Sequence, residues 1–148
     1  MKLTMYTDYS LRVMMSLAAD PGRTRTIQEI ADGFGISKNH LMKVAYELGQ
    51  AGLGETVRGR GGGLRLARPA AGIRLGELVR DCEKDFAMVE CFDKEKNQCV
   101  LTPACKLKRA LAEALEAYFE ALNRYTLADL VRHKGTLTTL LSFGEGKG

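Results

Sequence analysis

The chain has 148 residues, room for one domain or for one domain with an oligomerisation element. Hydrophobic residues are 45% and charged residues 27%, enough for a real core under a soluble surface. No run approaches the roughly 18 apolar residues of a membrane span. The N-terminus lacks the unbroken apolar stretch of a signal peptide, so a cytoplasmic location is expected. The net charge of +4 is unevenly spread: residues 1–80 carry 12 Lys and Arg against 7 Asp and Glu, residues 81–148 carry 10 against 11. A polyanion would bind the first part, where basic groups can displace counterions from phosphates. Four cysteines without a leader point to metal binding or thiol chemistry rather than disulfides.

In chain order, Leu11, Met14, Met15 and Ala18 recur at helical spacing and predict a first amphipathic helix, capped by Thr4 or Thr7, with Asp8 in or beside its first turn. Asp20-Pro21-Gly22 ends it. Thr26 and Glu29 form a capping box for a second helix that buries Ile27, Ile30, Ala31 and Phe34. Gly33 and Gly35 supply a turn, and Ser37 caps a third helix with Leu41, Val44, Ala45 and Leu48 inward. Two short helices about a glycine turn make a helix-turn-helix.

Short strands follow at 53–57 and 64–67, joined by Arg58-Gly59-Arg60-Gly61-Gly62-Gly63, a hairpin that needs positive φ and carries positive charge. This is the wing of a winged helix-turn-helix, and a further helix at 73–82 returns to the core. From Lys106 to Tyr125 a helix without glycine or proline carries Leu107, Leu111, Ala114, Tyr118, Leu122 and Tyr125 on one stripe. A stripe this long suits a second subunit. The expected class is mainly α with a small β-hairpin wing. The domains are a DNA-binding domain at 1–80, a cysteine loop at 81–106, a dimerisation helix with a C-terminal extension at 107–134, and a disordered tail at 135–148.

Ser37, Lys38, Asn39, His40 and Lys43 occupy the turns that reach base edges and phosphates when such a helix enters a major groove. Arg58, Arg60 and Arg65, in or beside the wing, suit a minor groove. A phosphate-binding loop is excluded, because no Gly-Lys-Ser/Thr follows the glycines. Cys91, Cys99 and Cys105 are separated by seven and five residues. Zinc knuckles favour close Cys-x-x-Cys pairs, and these wider spacings favour an iron–sulfur cluster over zinc. Cys82 lies in a helical context, where a buried, inert thiol is expected. Asp8, read from its position alone, is an acid compensating the helix dipole.

Arg58-Gly-Arg-Gly-Gly-Gly-Leu-Arg-Leu-Ala-Arg-Pro69 resembles the wing motif R-G-x-x-G-G-x-x-L-A-x-P of the Rrf2 superfamily of winged-helix repressors. The segments 3–12, 102–107 and 125–130 are similar to the first helix, cluster loop and helix end of its NsrR branch. The resemblance extends to about residue 134. It implies a homodimeric repressor of an inverted-repeat DNA operator, with a 4Fe–4S cluster in each subunit, nitrosylation of which by nitric oxide releases DNA. The three family cysteines fall on Cys91, Cys99 and Cys105. The IscR branch has a histidine three residues past the last cysteine; here that residue is Lys108. NsrR-type members use an aspartate of the other subunit, and Asp8 matches it. Arg12, one turn on, is then expected to orient or neutralise that carboxylate. The first cysteine spacing is slightly longer than that branch's, which leaves a 2Fe–2S cluster as the alternative. Other readings are a regulator sensing iron, redox state or cluster supply, and a zinc-stabilised adaptor. An enzyme is not expected, since no Cys-x-x-Cys or Cys–His pair supports a thiol oxidoreductase.

Overall fold

The computed structural model describes residues 1–141. Its helices are α1 (Met5–Ala19), α2 (Ile27–Phe34), α3 (Lys38–Gln50), α4 (Leu75–Cys82), α5 (Lys106–Leu122), α6 (Leu127–Leu130) and α7 (Lys134–Leu141). Strands β1 (Gly54–Val57) and β2 (Gly63–Leu66) pair antiparallel between α3 and α4, with Glu55 opposite Arg65. The chain is mainly helical with a two-stranded hairpin, as its periodicities require. Among the described residues no helix is long and apolar enough to cross a membrane.

The core is built on α1, which packs against α3, α4, α6 and α7. Its inward face is Val13, Met14, Leu17 and Ala18, met by Ile30, Leu41, Val44, Leu48, Leu53, Leu64, Ile73 and Leu78. Burying a side chain such as Leu17 contributes about 1.5–3 kcal/mol, and the core's stabilisation is the sum of many such terms. The buried face of α1 is centred nearer Val13 and Leu17 than the predicted stripe, with Leu11 and Met15 only partly covered. Polar Ser10 and Ser16 share it because their hydroxyls donate to the carbonyls of Tyr6 (2.9 Å) and Val13 (2.7 Å).

The helix-turn-helix forms by local chemistry. Thr26 accepts the Glu29 N–H while the Glu29 carboxylate accepts the Thr26 N–H, closing the capping box at α2. Gly35 ends α2 in the left-handed region at φ 65°, and Ser37 starts α3 by accepting the His40 N–H at 3.2 Å. The base of the hairpin is fastened to the segment before α2 by paired backbone bonds between Leu64 and Arg25 (2.7 and 2.9 Å).

Two expectations on the C-terminal part are corrected. The helix from Lys106 ends at Leu122 rather than Tyr125, because Asn123 is held by α4. Its carbonyl accepts from Arg74 (3.0 Å) and its side-chain oxygen from the Glu77 N–H (3.1 Å). Gly76 permits this crossing, since a Cβ there would come within 2.7 Å of the Phe119 carbonyl. Leu127 and Val131 join the core, brought back by the Leu127 N–H to Ile73 carbonyl bond at 2.8 Å. Finally, the disorder expected from residue 135 does not hold for Lys134–Leu141. There Leu137 packs on the core, and the Thr138 and Thr139 hydroxyls each donate to a carbonyl four residues back at 2.9 Å. The rest of that tail lies outside the described residues.

Candidate functional site

Two groups of side chains stand out. The first lies on α3 and the hairpin. Leu41, Val44 and Leu48 turn inward, which leaves Ser37, Lys38, Asn39, His40 and Lys43 exposed on the opposite side of the helix. Met42 and Tyr46 share that exposed face, at 52% and 66%. Sequence reasoning passed over them as ordinary helix residues, although two large apolar groups left bare beside a basic turn are the available signal. At the hairpin tip Arg58 and Arg60 are exposed on a glycine turn where a Cβ at Gly62 would overlap the Val57 carbonyl. Arg65 differs from them. It sits in the stem and is ion-paired across the strands with Glu55.

The second group is the cysteine loop. Cys82 closes α4 and is buried. Burial pushes its thiol up to about 11, assisted by Asp81 and Glu83 against the Ser10 hydrogen bond, so it is a protonated, unreactive thiol at neutral pH. Residues 84–105 then run without a strand or an α-helix, through 3-10 turns at Glu90–Phe92 and Thr102–Ala104. Side chains order this path locally. The Asn97 side-chain oxygen accepts the Cys99 N–H (3.0 Å), the Thr102 hydroxyl donates to the Cys99 carbonyl (2.8 Å), and Glu90 accepts the Gln98 N–H. Asp93 accepts from the Glu95 N–H, which with the Lys96 contacts holds its carboxyl below the ordinary range. At the far end the Cys105 sulfur caps α5 by accepting the Lys108 N–H at 3.4 Å.

Cys91, Cys99 and Cys105 are free thiols, none of them buried. Cys91 lines an open cleft of about 980 Å³ with Phe86, Phe92, Lys108, Leu115 and Glu116. Within the described residues no three His, Cys, Asp or Glu side chains are gathered so that one metal ion could be held. Asp8 stands apart on α1, about half exposed. Arg12 grips its carboxylate with two hydrogen bonds, Nε to Oδ1 at 3.1 Å and Nη2 to Oδ2 at 2.8 Å. Asp8 does not cap α1; Thr4 does, accepting the Thr7 N–H at 3.3 Å. Three uncombined thiols on an accessible loop are donors of the type an iron–sulfur cluster takes.

On the packed side of α5 only Phe119 is buried, against Phe86 edge-on at 4.8 Å and under the Arg80 guanidinium at 3.8 Å. Arg80 also pairs with Glu116 at 3.0 Å. The stripe named from sequence is left partly or wholly open, with Leu107 at 64% and Tyr125 at 53% exposure.

Known proteins resemble this chain along almost all of its length. A model of the Rrf2 family, described as an iron-dependent transcriptional regulator, matches residues 3–133. The HTH-type transcriptional regulator NsrR of Bacillus subtilis is 56% identical over 146 residues, 98% of this chain and 100% of that protein. That of Geobacillus kaustophilus is 49% identical over 147 residues, 99% and 100% of the two chains. Among solved structures, CymR, the global cysteine regulator of B. subtilis, aligns with a TM-score of 0.74 at 28% identity, over 90% of this chain and 98% of that one. IscR of T. potens aligns with a TM-score of 0.72 at 26% identity, over 90% and 88%.

Proposed function

The chain belongs to the Rrf2 family and is a transcriptional regulator, not an enzyme; we propose that it is a homodimeric repressor of inverted-repeat operators that responds to nitric oxide. In this reading Cys91, Cys99 and Cys105 of one subunit, with the partner subunit's Asp8, hold a 4Fe–4S cluster. The observation that carries it is the state of Asp8. Asp8 lies in the first turn of α1, where an acid favours the helix dipole; Thr4 makes the cap, and the half-exposed Asp8 carboxylate is held by Arg12. In this reading the carboxylate that Arg12 holds is the one offered to the partner subunit's cysteine loop.

When bound, the cluster would supply iron that nitric oxide can reach, and a carboxylate would hold that iron less firmly than a thiolate. The protein's own residues do the rest. The three thiolates would hold the cluster, while Arg12 fixes the direction of the carboxylate and offsets its charge. The open stripe of α5 supports a dimer, since Leu107 and Ala114 are exposed and Leu111 and Tyr118 only partly covered by their own chain. Lys38, Asn39, His40 and Lys43 would enter a major groove, with Arg58 and Arg60 in the adjoining minor groove. Because α1 packs directly on α3, the Asp8 position and the reading helix share one frame. A tenfold change in operator affinity requires only about 1.4 kcal/mol of coupling.

The test is the anaerobic absorption spectrum of the full-length protein with iron and sulfide counts, before and after nitric oxide, with oxygen and chelator controls. The expected result is a coloured protein with about four iron and four sulfide per chain, whose spectrum changes with stoichiometric nitric oxide. A colourless protein holding zinc, or a cluster indifferent to nitric oxide, would overturn the reading.

A further inference from the structure

Glu83 is the one acidic side chain among the described residues that is buried, at 7% exposure. It follows Cys82 and stands where α4 ends and the cysteine loop begins. A single carboxylate oxygen, Oε2, accepts three hydrogen bonds: the Thr4 N–H at 2.8 Å, the Thr4 hydroxyl at 3.0 Å and the Thr7 hydroxyl at 2.7 Å. Burial alone would push this carboxyl up; the bonds from Thr4 and Thr7 outweigh it and leave it below the ordinary value. It is an anion, held in place.

The two threonines are the N-cap and the third residue of α1. A capping box places Glu or Gln at that third position, to reach back to the N–H of the N-cap residue. In α2 Glu29 does this for Thr26. In α1 the third residue is Thr7, a hydroxyl with no such reach, and the missing carboxylate comes from Glu83, 79 residues from Thr4 in sequence. The box is therefore closed between two helices. The next residue, Asp8, is the acid of the first turn of α1, and the hydrogen bonds its carboxylate accepts come from Arg12. Lys84 adds a weaker tie, pairing with Glu47 of α3 at 3.3 Å from an exposed position.

We propose that Glu83 is a positioning residue that locks the first turn of α1 to the entry of the cysteine loop and so presets the direction in which Asp8 is offered. This rests on the reading of Asp8 as a ligand to the partner's site. The latch is within one chain while Asp8 serves the other, so it fastens each site of the dimer to its neighbour.

The first arm of the test needs no iron. In full-length apo protein, Glu83→Ala is expected to speed hydrogen exchange of the first-turn amides of α1 on the order of tenfold, as loss of hydrogen bonds to a buried charged acceptor should. Glu83→Gln, which keeps an accepting oxygen, retains most of the protection. Should Glu83→Ala fail to fold, Thr7→Val removes one donor and gives the same readout. Unchanged exchange in a folded variant overturns the latch. The second arm follows the circular dichroism of the cluster bands in loaded protein. Glu83→Ala is expected to change them as Asp8→Ala does, and the double variant to match Asp8→Ala alone. A wild-type signature in Glu83→Ala, or additive changes in the double variant, overturns the positioning role while Asp8 stays a ligand. If Asp8→Ala itself leaves the signature unchanged, the ligand reading fails, and the exchange data alone decide the latch.

Discussion

The DNA-facing part and the cysteine loop of this chain are held together by different forces. In α3 the candidate DNA-contacting side chains are outward members of a helix whose inward members are buried: Leu41, Val44 and Leu48 fix the face on which Lys38, Asn39 and His40 stand. In residues 84–105 no side chain is buried, Val100 and Leu101 are exposed at 89% and 66%, and order comes from short-range bonds of Asn97, Thr102, Glu90 and Asp93. Apolar burial, with the caps of α2 and α3, specifies the first region. The second has donors and a path but lacks a core, and a bound cofactor with a partner subunit would supply what is missing.

That contrast can be broken most forcefully by exchanging the damage. Cys99→Ala is expected to strip the purified protein of iron and sulfide while leaving the apo protein's unfolding free energy within about 0.5 kcal/mol of wild type. Leu17→Ala is expected to lower that free energy by about 2–5 kcal/mol, since it empties a fully enclosed site beneath α3 and α4. Iron analysis and urea denaturation of both variants decide this. A Cys99→Ala apo protein destabilised as much as Leu17→Ala would mean that the loop belongs to the core after all.

A finer division lies inside the hairpin, between its free tip and its paired stem. Arg58→Ala should weaken binding to an operator duplex and lower the slope of log affinity against log salt by about one. Arg65→Ala should change the slope less, because Glu55 already neutralises that guanidinium. Fluorescence anisotropy at several salt concentrations measures both, and equal slopes would remove the distinction.

What was legible in sequence was what short-range chemistry controls. The Thr26–Glu29 box, the Ser37 cap and the glycine hairpin each lie within a few residues of the groups they organise, and they located the helix-turn-helix and wing. The inert character of Cys82 followed from its helical setting. The end of α5 was not legible, because Asn123 is held by Arg74 and Glu77 across a crossing that only Gly76 allows. Nor was α7, where threonines that usually discourage a helix donate back to its own carbonyls. Glu83 left no local trace, since its partners lie at the other end of the first domain. Asp8 as a ligand came from family resemblance; its position alone pointed to a helix-end acid. The geometry adds that Thr4, braced by Glu83, makes the cap, while Asp8 stands in the first turn held by Arg12.

The most direct measurement is the affinity of the iron–sulfur-loaded wild-type protein for an inverted-repeat duplex selected in vitro, taken anaerobically at one fixed salt concentration before and after stoichiometric nitric oxide. A loss of affinity of about tenfold or more, equivalent to at least about 1.4 kcal/mol, is the expected result. Equal affinity in the two states would contradict the assignment of this chain as a nitric-oxide-responsive repressor.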